Sequence, residues 1–165
     1  MKGDRTALLR ASKDAERRVC RMCGSERTGP SGRQGPDCDE KAPWCIQVKR
    51  AARPQLPAAW LDQAIRDAAA DPQRRPWLLV QVCPRPGREA LMLATFGVDL
   101  PFGIPYAAFE ALPRLHHNRS RPSLSRGDTA WVEAGGIVTQ FVPLAQPWLR
   151  LYTWDYRLLC AAALG

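Results

Sequence analysis

Between Trp44 and Lys49 the chain alternates cleanly, with apolar Trp44, Ile46 and Val48 separated by Cys45, Gln47 and Lys49. Successive residues of an extended strand face opposite sides. The pattern therefore predicts a strand with one apolar face and one face carrying an amide beside an ammonium. Upstream, Leu8, Ala15 and Met22 recur at heptad spacing with Ala11, Ser12 and Val19 between them, one apolar stripe on a helix over 4–23. Asp4 and Thr6 suit its start and Gly24 its end. A glycine-, serine- and arginine-rich loop over 24–36 leads into a short strand carrying Asp37, then a polar turn. The loop lacks phosphate-loop glycine spacing. After a proline-bounded turn over 51–57, Trp60, Leu61, Ala64, Ile65 and Ala68 mark the apolar face of a helix over 58–70, and Pro72 ends it. Trp77–Val82 reads as a buried strand, Pro84–Arg88 as a turn, and Glu89–Phe96 as the next strand.

The remainder carries weaker patterns. Tyr106–Leu112 suggests a short helix, and His116–Asp128 a polar, basic loop. Ala130–Glu133 and Ile137–Val142 flank Gly135-Gly136 as a hairpin would, and Trp154–Leu164 reads as a helix or helical turn. The pair His116-His117 has no acid nearby and belongs with a surface loop. There is no internal repeat.

The chain of 165 residues suits one domain with a buried core, of α/β (α+β) class. No apolar stretch approaches the roughly 20 residues needed to cross a bilayer. The first residues carry charges where a signal peptide needs an apolar run, so the expected location is cytoplasmic. The net charge of +8 is uneven, residues 1–53 holding 13 Lys/Arg against 7 Asp/Glu. Such a surplus beside a small acidic cluster suits a protein that attracts a polyanion and binds a cation, though a solvated basic surface accounts for it equally. Without a secretion signal, the 6 cysteines are expected to be reduced thiols or metal ligands. Cys20 and Cys23 have zinc-knuckle spacing. Cys38 and Cys45 would complete four thiolates, but the gap between them is wider than the usual one.

A second chemistry lies in the acids. The run ERRVCRMCGSERTG from Glu16 is followed by Gly35-Pro36-Asp37, Ile46-Gln47-Val48-Lys49, Leu56-Pro57, Trp60-Leu61 and Gln63. In this order, over roughly 10–83, these pieces resemble the PD-(D/E)xK nucleases, and most of all the Holliday-junction-resolvase-like proteins of phages and mobile elements. The resemblance implies a restriction-endonuclease-like core over 1–96, a central mixed sheet flanked by helices. Residues 97–165 would form a C-terminal extension outside the resemblance. It implies that Glu16, Asp37 and the Val48 carbonyl hold Mg²⁺ (or Mn²⁺), that Lys49 steers the attacking water, and that Gln47 completes the site. Arg18, Arg27, Arg33, Arg50 and Arg53 would contact DNA phosphates and Gln63 would orient one. A homodimer matching branched DNA, in a bacterial or phage-infected cell, is the implied assembly. One position departs from the pattern: Gln47 stands where the family has glutamate, and an amide oxygen ligates without contributing charge. Asp39 would restore a carboxylate if the strand of Asp37 continued, and is otherwise a turn residue. Three functions follow: a metal-dependent DNA endonuclease, an inactive nuclease-fold DNA-binding protein, or a zinc-stabilised nucleic-acid-binding module.

Overall fold

The structure is a computed structural model that describes residues 2–29, 34–53, 55, 57–97, 123–125, 129–131, 138–142 and 149–164. In chain order the elements are α1 (Lys2–Met22), β1 (Cys45–Arg50), α2 (Ala58–Ala69), β2 (Trp77–Arg85), β3 (Arg88–Gly97), β4 (Ser123–Ser125), β5 (Thr129–Trp131), β6 (Val138–Val142), β7 (Leu149–Asp155) and α3 (Tyr156–Leu164). The fold is α+β, a mixed sheet flanked by helices.

The larger sheet has five strands in the order β1-β2-β3-β7-β6. β1 runs parallel to β2, and every other neighbouring pair in it is antiparallel. A parallel pair needs a crossover, and α2 supplies it. The alternation in β1 is what divides the molecule into layers. Ile46 and Val48 pack with Leu78, Val80, Met92 and Phe96 against Ala15 and Val19 of α1 and Tyr156 and Leu159 of α3. The opposite face sets Leu79 and Leu93 against Leu61 and Ala64 of α2. Gln81 is buried on that second face, and its amide exchanges hydrogen bonds with the backbone of Gln55 at 3.0 and 2.7 Å. This anchors the turn that leads into α2.

Several expectations need correction. α1 begins at Lys2, so Asp4 falls inside its first turn. The apolar stripe is buried only in the second half of the helix: Ala15 and Val19 are buried, whereas Leu8 is 55% exposed. Asp37 does not sit in a strand. Among the described residues the segment makes an isolated bridge, Arg27 to Cys38, in place of a strand. That bridge folds the segment back onto the end of α1, bringing the Cα atoms of Cys20 and Cys38 to 5.3 Å, where they form a disulfide. The expectation of reduced thiols is overturned for this pair. The turn of the hairpin expected across Gly135-Gly136 lies outside the described residues; its flanks hold β5 and β6, and the described pairings are β4 with β5 and β6 with β7. Ser123–Ser125, placed in a loop by the sequence, is a strand. Tyr106–Leu112 and His116-His117 lie outside the described residues. The terminal helix is present as α3, and β7 before it pairs with β3, so residues 149–164 share the sheet and core of 45–97. Among the described residues, no helix is long and apolar enough to cross a membrane.

Two stability tests follow. Tyr156 is fully buried and its hydroxyl donates to the carbonyl of Val19 at 3.0 Å, joining α3 to α1. Tyr156→Phe should lower the free energy of unfolding in urea by about 1–2 kcal/mol, the range for a buried hydrogen bond whose acceptor loses its partner. The disulfide closes a sequence separation of 18. Cys20→Ser should cost about 3 kcal/mol in the same assay, and dithiothreitol should have no further effect on that variant.

Candidate active site at the edge of the sheet

β1 is the edge strand of its sheet among the described residues, so its outer N–H and C=O groups need partners from elsewhere. The Gly35–Asp37 segment supplies them. The Asp37 N–H donates to the carbonyl of Ile46 at 2.8 Å, and the Val48 N–H donates to Asp37 Oδ2 at 2.7 Å. The carboxylate is thereby held against the strand edge. The N–H and C=O of one strand residue point the same way, so the Val48 carbonyl opens on the same edge.

On the α2 face, Gln47 and Lys49 project side by side, as the alternation requires. Gln47 is 1% exposed. Its Nε2 donates to the carbonyl of Gly35 at 2.8 Å and to Asp67 Oδ2 at 2.6 Å. Gln63 Nε2 donates to Gln47 Oε1 at 3.4 Å, and Lys49 Nζ donates to Gln63 Oε1 at 2.6 Å. Gln63 and Asp67 are four residues apart on α2 and so share one stripe of the helix. On the α1 face, Glu16 is paired with Arg27, whose guanidinium also donates to the carbonyl of Gly29 at 2.6 Å. Both partners are largely buried, with side-chain exposures of 17% for Arg27 and 15% for Glu16.

Asp37 stands between these groups and feels both. Burial pushes its carboxyl pKa up, the Val48 N–H pulls it back, the Glu16 carboxylate raises it, and Lys49 and Arg27 lower it; the outcome is about 6. This is a carboxylate with less positive charge around it than it needs.

The remaining expected residues lie as follows. Arg18 is exposed and paired with Glu89 at 2.9 Å. Arg50 and Arg53 are exposed, and Arg33 lies outside the described residues. Asp39 is a turn residue: its Oδ1 accepts from Ser25 Oγ at 2.7 Å and from the Lys41 N–H at 3.0 Å. Partial burial opposes its ionisation, but those hydrogen bonds outweigh it and hold the carboxyl below the usual range. The cysteines do not converge. Cys20 and Cys38 are joined to each other, the Cys23 thiol donates to the carbonyl of Cys20 at 3.1 Å, and Cys45 lies on the Gln47 face of β1. Among the described residues, no group of three or more His, Cys, Asp or Glu side chains is assembled as for a metal ion.

Sequence reasoning missed Asp67 and the pairing of Arg27 with Glu16. Asp67 was findable, since a helix that turns Gln63 toward the strand turns the residue one helical turn later the same way. The Arg27 pairing was not, because it depends on the path of an irregular loop. In comparisons with known proteins, the chain matches no family model, no curated protein and no solved structure.

Burial raises the pKa of folded Asp37 to about 6, against 3.8 for the free side chain. Between these values the folded state binds more protons than the unfolded one, so stability falls as pH rises, and the deficit is complete above the folded value. In buffer containing EDTA, Asp37→Asn should unfold at higher urea than the wild type at pH 8, by about 1–2 kcal/mol, with the gap closing toward pH 4.

Proposed function

We propose that this chain is a metal-dependent DNA endonuclease with a restriction-endonuclease-like core. The observation that carries the reading is the meeting of Asp37, the Val48 carbonyl edge and the Gln47–Lys49 face at one end of β1. The donors suit a hard cation in kind: carboxylate and carbonyl oxygens, with a carboxyl group whose raised pKa leaves it in want of positive charge. Mg²⁺ commonly takes one or two carboxylates and keeps several waters, so a third acid is not required. Asp37 and the Val48 carbonyl would hold the ion, and Glu16 would join them once released from Arg27.

When bound, such an ion lowers the pKa of a coordinated water and offsets charge on the phosphate under attack. The protein supplies the rest. Lys49 sets a fixed ammonium beside the carboxylate, where it stabilises charge developing on a phosphate oxygen. Gln63 holds that ammonium through its Oε1. Exposed Arg50 and Arg53 continue from β1 and provide phosphate contacts that position DNA without reading its sequence. Branched DNA with two equivalent strands to cut would call for a two-fold dimer.

A second reading is favoured by one specific observation. Arg27 already neutralises Glu16, and Gln47 brings no charge, so the same fold would serve as a DNA-binding protein without cleavage. A nicking assay on supercoiled plasmid and a four-way junction separates the two. With Mg²⁺ or Mn²⁺, the wild type should cleave and EDTA should abolish cleavage. Lys49→Ala and Asp37→Asn should each reduce the rate by about 10²-fold or more. Salt-sensitive DNA binding without nicking would establish the second reading, and cleavage indifferent to both substitutions would refute the first.

A further inference from the structure

We propose that Asp67 is a positioning residue that sets the polarity of a side-chain relay ending on Lys49; as a statement about catalysis this rests on the nuclease reading. The relay runs Asp67, Gln47, Gln63, Lys49, through contacts of 2.6, 3.4 and 2.6 Å. An amide has a donor end and an acceptor end of nearly the same shape, so two amides in series have two orientations. The groups at the ends of the chain, with the Gly35 carbonyl beside Gln47, choose between them.

An ionised carboxylate only accepts hydrogen bonds, and an ammonium only donates. Asp67 therefore draws Gln47 Nε2 toward α2, and the carbonyl of Gly35 takes the second proton of the same nitrogen. Gln47 Oε1 is left to face Gln63, which must present Nε2 to it. Gln63 Oε1 is then turned to Lys49 Nζ. Reversing either amide would bring donor against donor, or acceptor against acceptor. Charge-assisted bonds are roughly twice as strong as neutral ones, so the Asp67 contact governs more than the Gly35 contact does. This also explains why an amide works at position 47. A glutamate there would set its charge against Asp67, whereas the amide passes the acidity of Asp67 along as an orientation. Burial of Gln47 at 1% exposure keeps water from short-circuiting the arrangement.

The test joins two readouts on the full chain. Side-chain amide hydrogen exchange, followed by NMR on ¹⁵N-labelled protein, reports the relay without reference to any activity. In the wild type the Gln47 NH₂ protons should be protected. In Asp67→Asn, where Gln47 loses its acceptor-only partner, exchange of the Gln47 NH₂ should speed up by about 10-fold or more. In the cleavage assay, Asp67→Asn should lower kcat by about 10–100-fold with KM for DNA changed less than about 2-fold, since Asp67 acts through Lys49. The conservative variant Asp67→Glu keeps an acceptor-only end group and should retain kcat to within about 3-fold of wild type. Unchanged exchange in Asp67→Asn overturns the proposal, as does a kcat loss in Asp67→Glu as large as that in Asp67→Asn. If the wild type does not cleave DNA, the nuclease reading falls alone, and the exchange experiment still decides whether Asp67 orients the relay.

Discussion

The open edge of β1 is the constraint on which the rest depends. An edge strand exposes backbone groups that must be paired with something other than a sheet neighbour. Here a proline-aspartate segment does it, with one bond from its backbone and one to its side chain. The same two bonds that quiet the edge fix the direction of the Asp37 carboxylate. Removing them would leave the Ile46 carbonyl and the Val48 N–H unpaired and would free the acid at once. Fold and site thus share their hydrogen bonds.

The position of the edge explains the mixture of residues gathered there. Elsewhere in the sheet, α1 and α2 lie on opposite faces and cannot exchange side-chain contacts. At the margin the sheet no longer separates them. Glu16 and Arg27 approach from one side and Gln47, Lys49, Gln63 and Asp67 from the other, with Asp37 between. The electrostatic result is asymmetric. Glu16 has a guanidinium of its own and Asp67 has an amide donor, whereas among the described residues the Asp37 carboxylate has the Val48 N–H and the more distant charges of Lys49 and Arg27. On the reading proposed above, a cation entering the site would compete with Arg27 for Glu16 while relieving Asp37, so the two acids would act in opposite directions on its affinity.

How much of this could be read in advance depended on periodicity. The alternation of Trp44–Lys49 is faithful to the two layers, and the apolar face of α2 with Leu61 and Ala64 is where the pattern puts it. Strands β2 and β3 extend only slightly past their expected limits, because a strand ends where its partner does and not where its apolar residues stop. Contacts between irregular segments left no such trace. The Arg27–Glu16 pair and the Cys20–Cys38 bond both hang on the course of a loop that has no repeat to read. In α1, the heptad of Leu8, Ala15 and Met22 implied continuous burial, yet periodicity records only which side of a helix is apolar. How much of that side finds a partner is a tertiary fact, and Leu8 is left exposed.

The Cys20–Cys38 bond has a geometric consequence for the site. Cys20 follows Glu16 by one helical turn and Cys38 is the neighbour of Asp37, so a covalent staple joins the carriers of both acids. The chain between Gly24 and Pro36 is thus not the sole link between those carriers. The same span carries Arg27, which pairs with Glu16, Thr28, whose N–H donates to the Asp37 carbonyl at 2.9 Å, and the Gly35 carbonyl, so a change in it would reach the acids through those groups while the staple kept their carriers together.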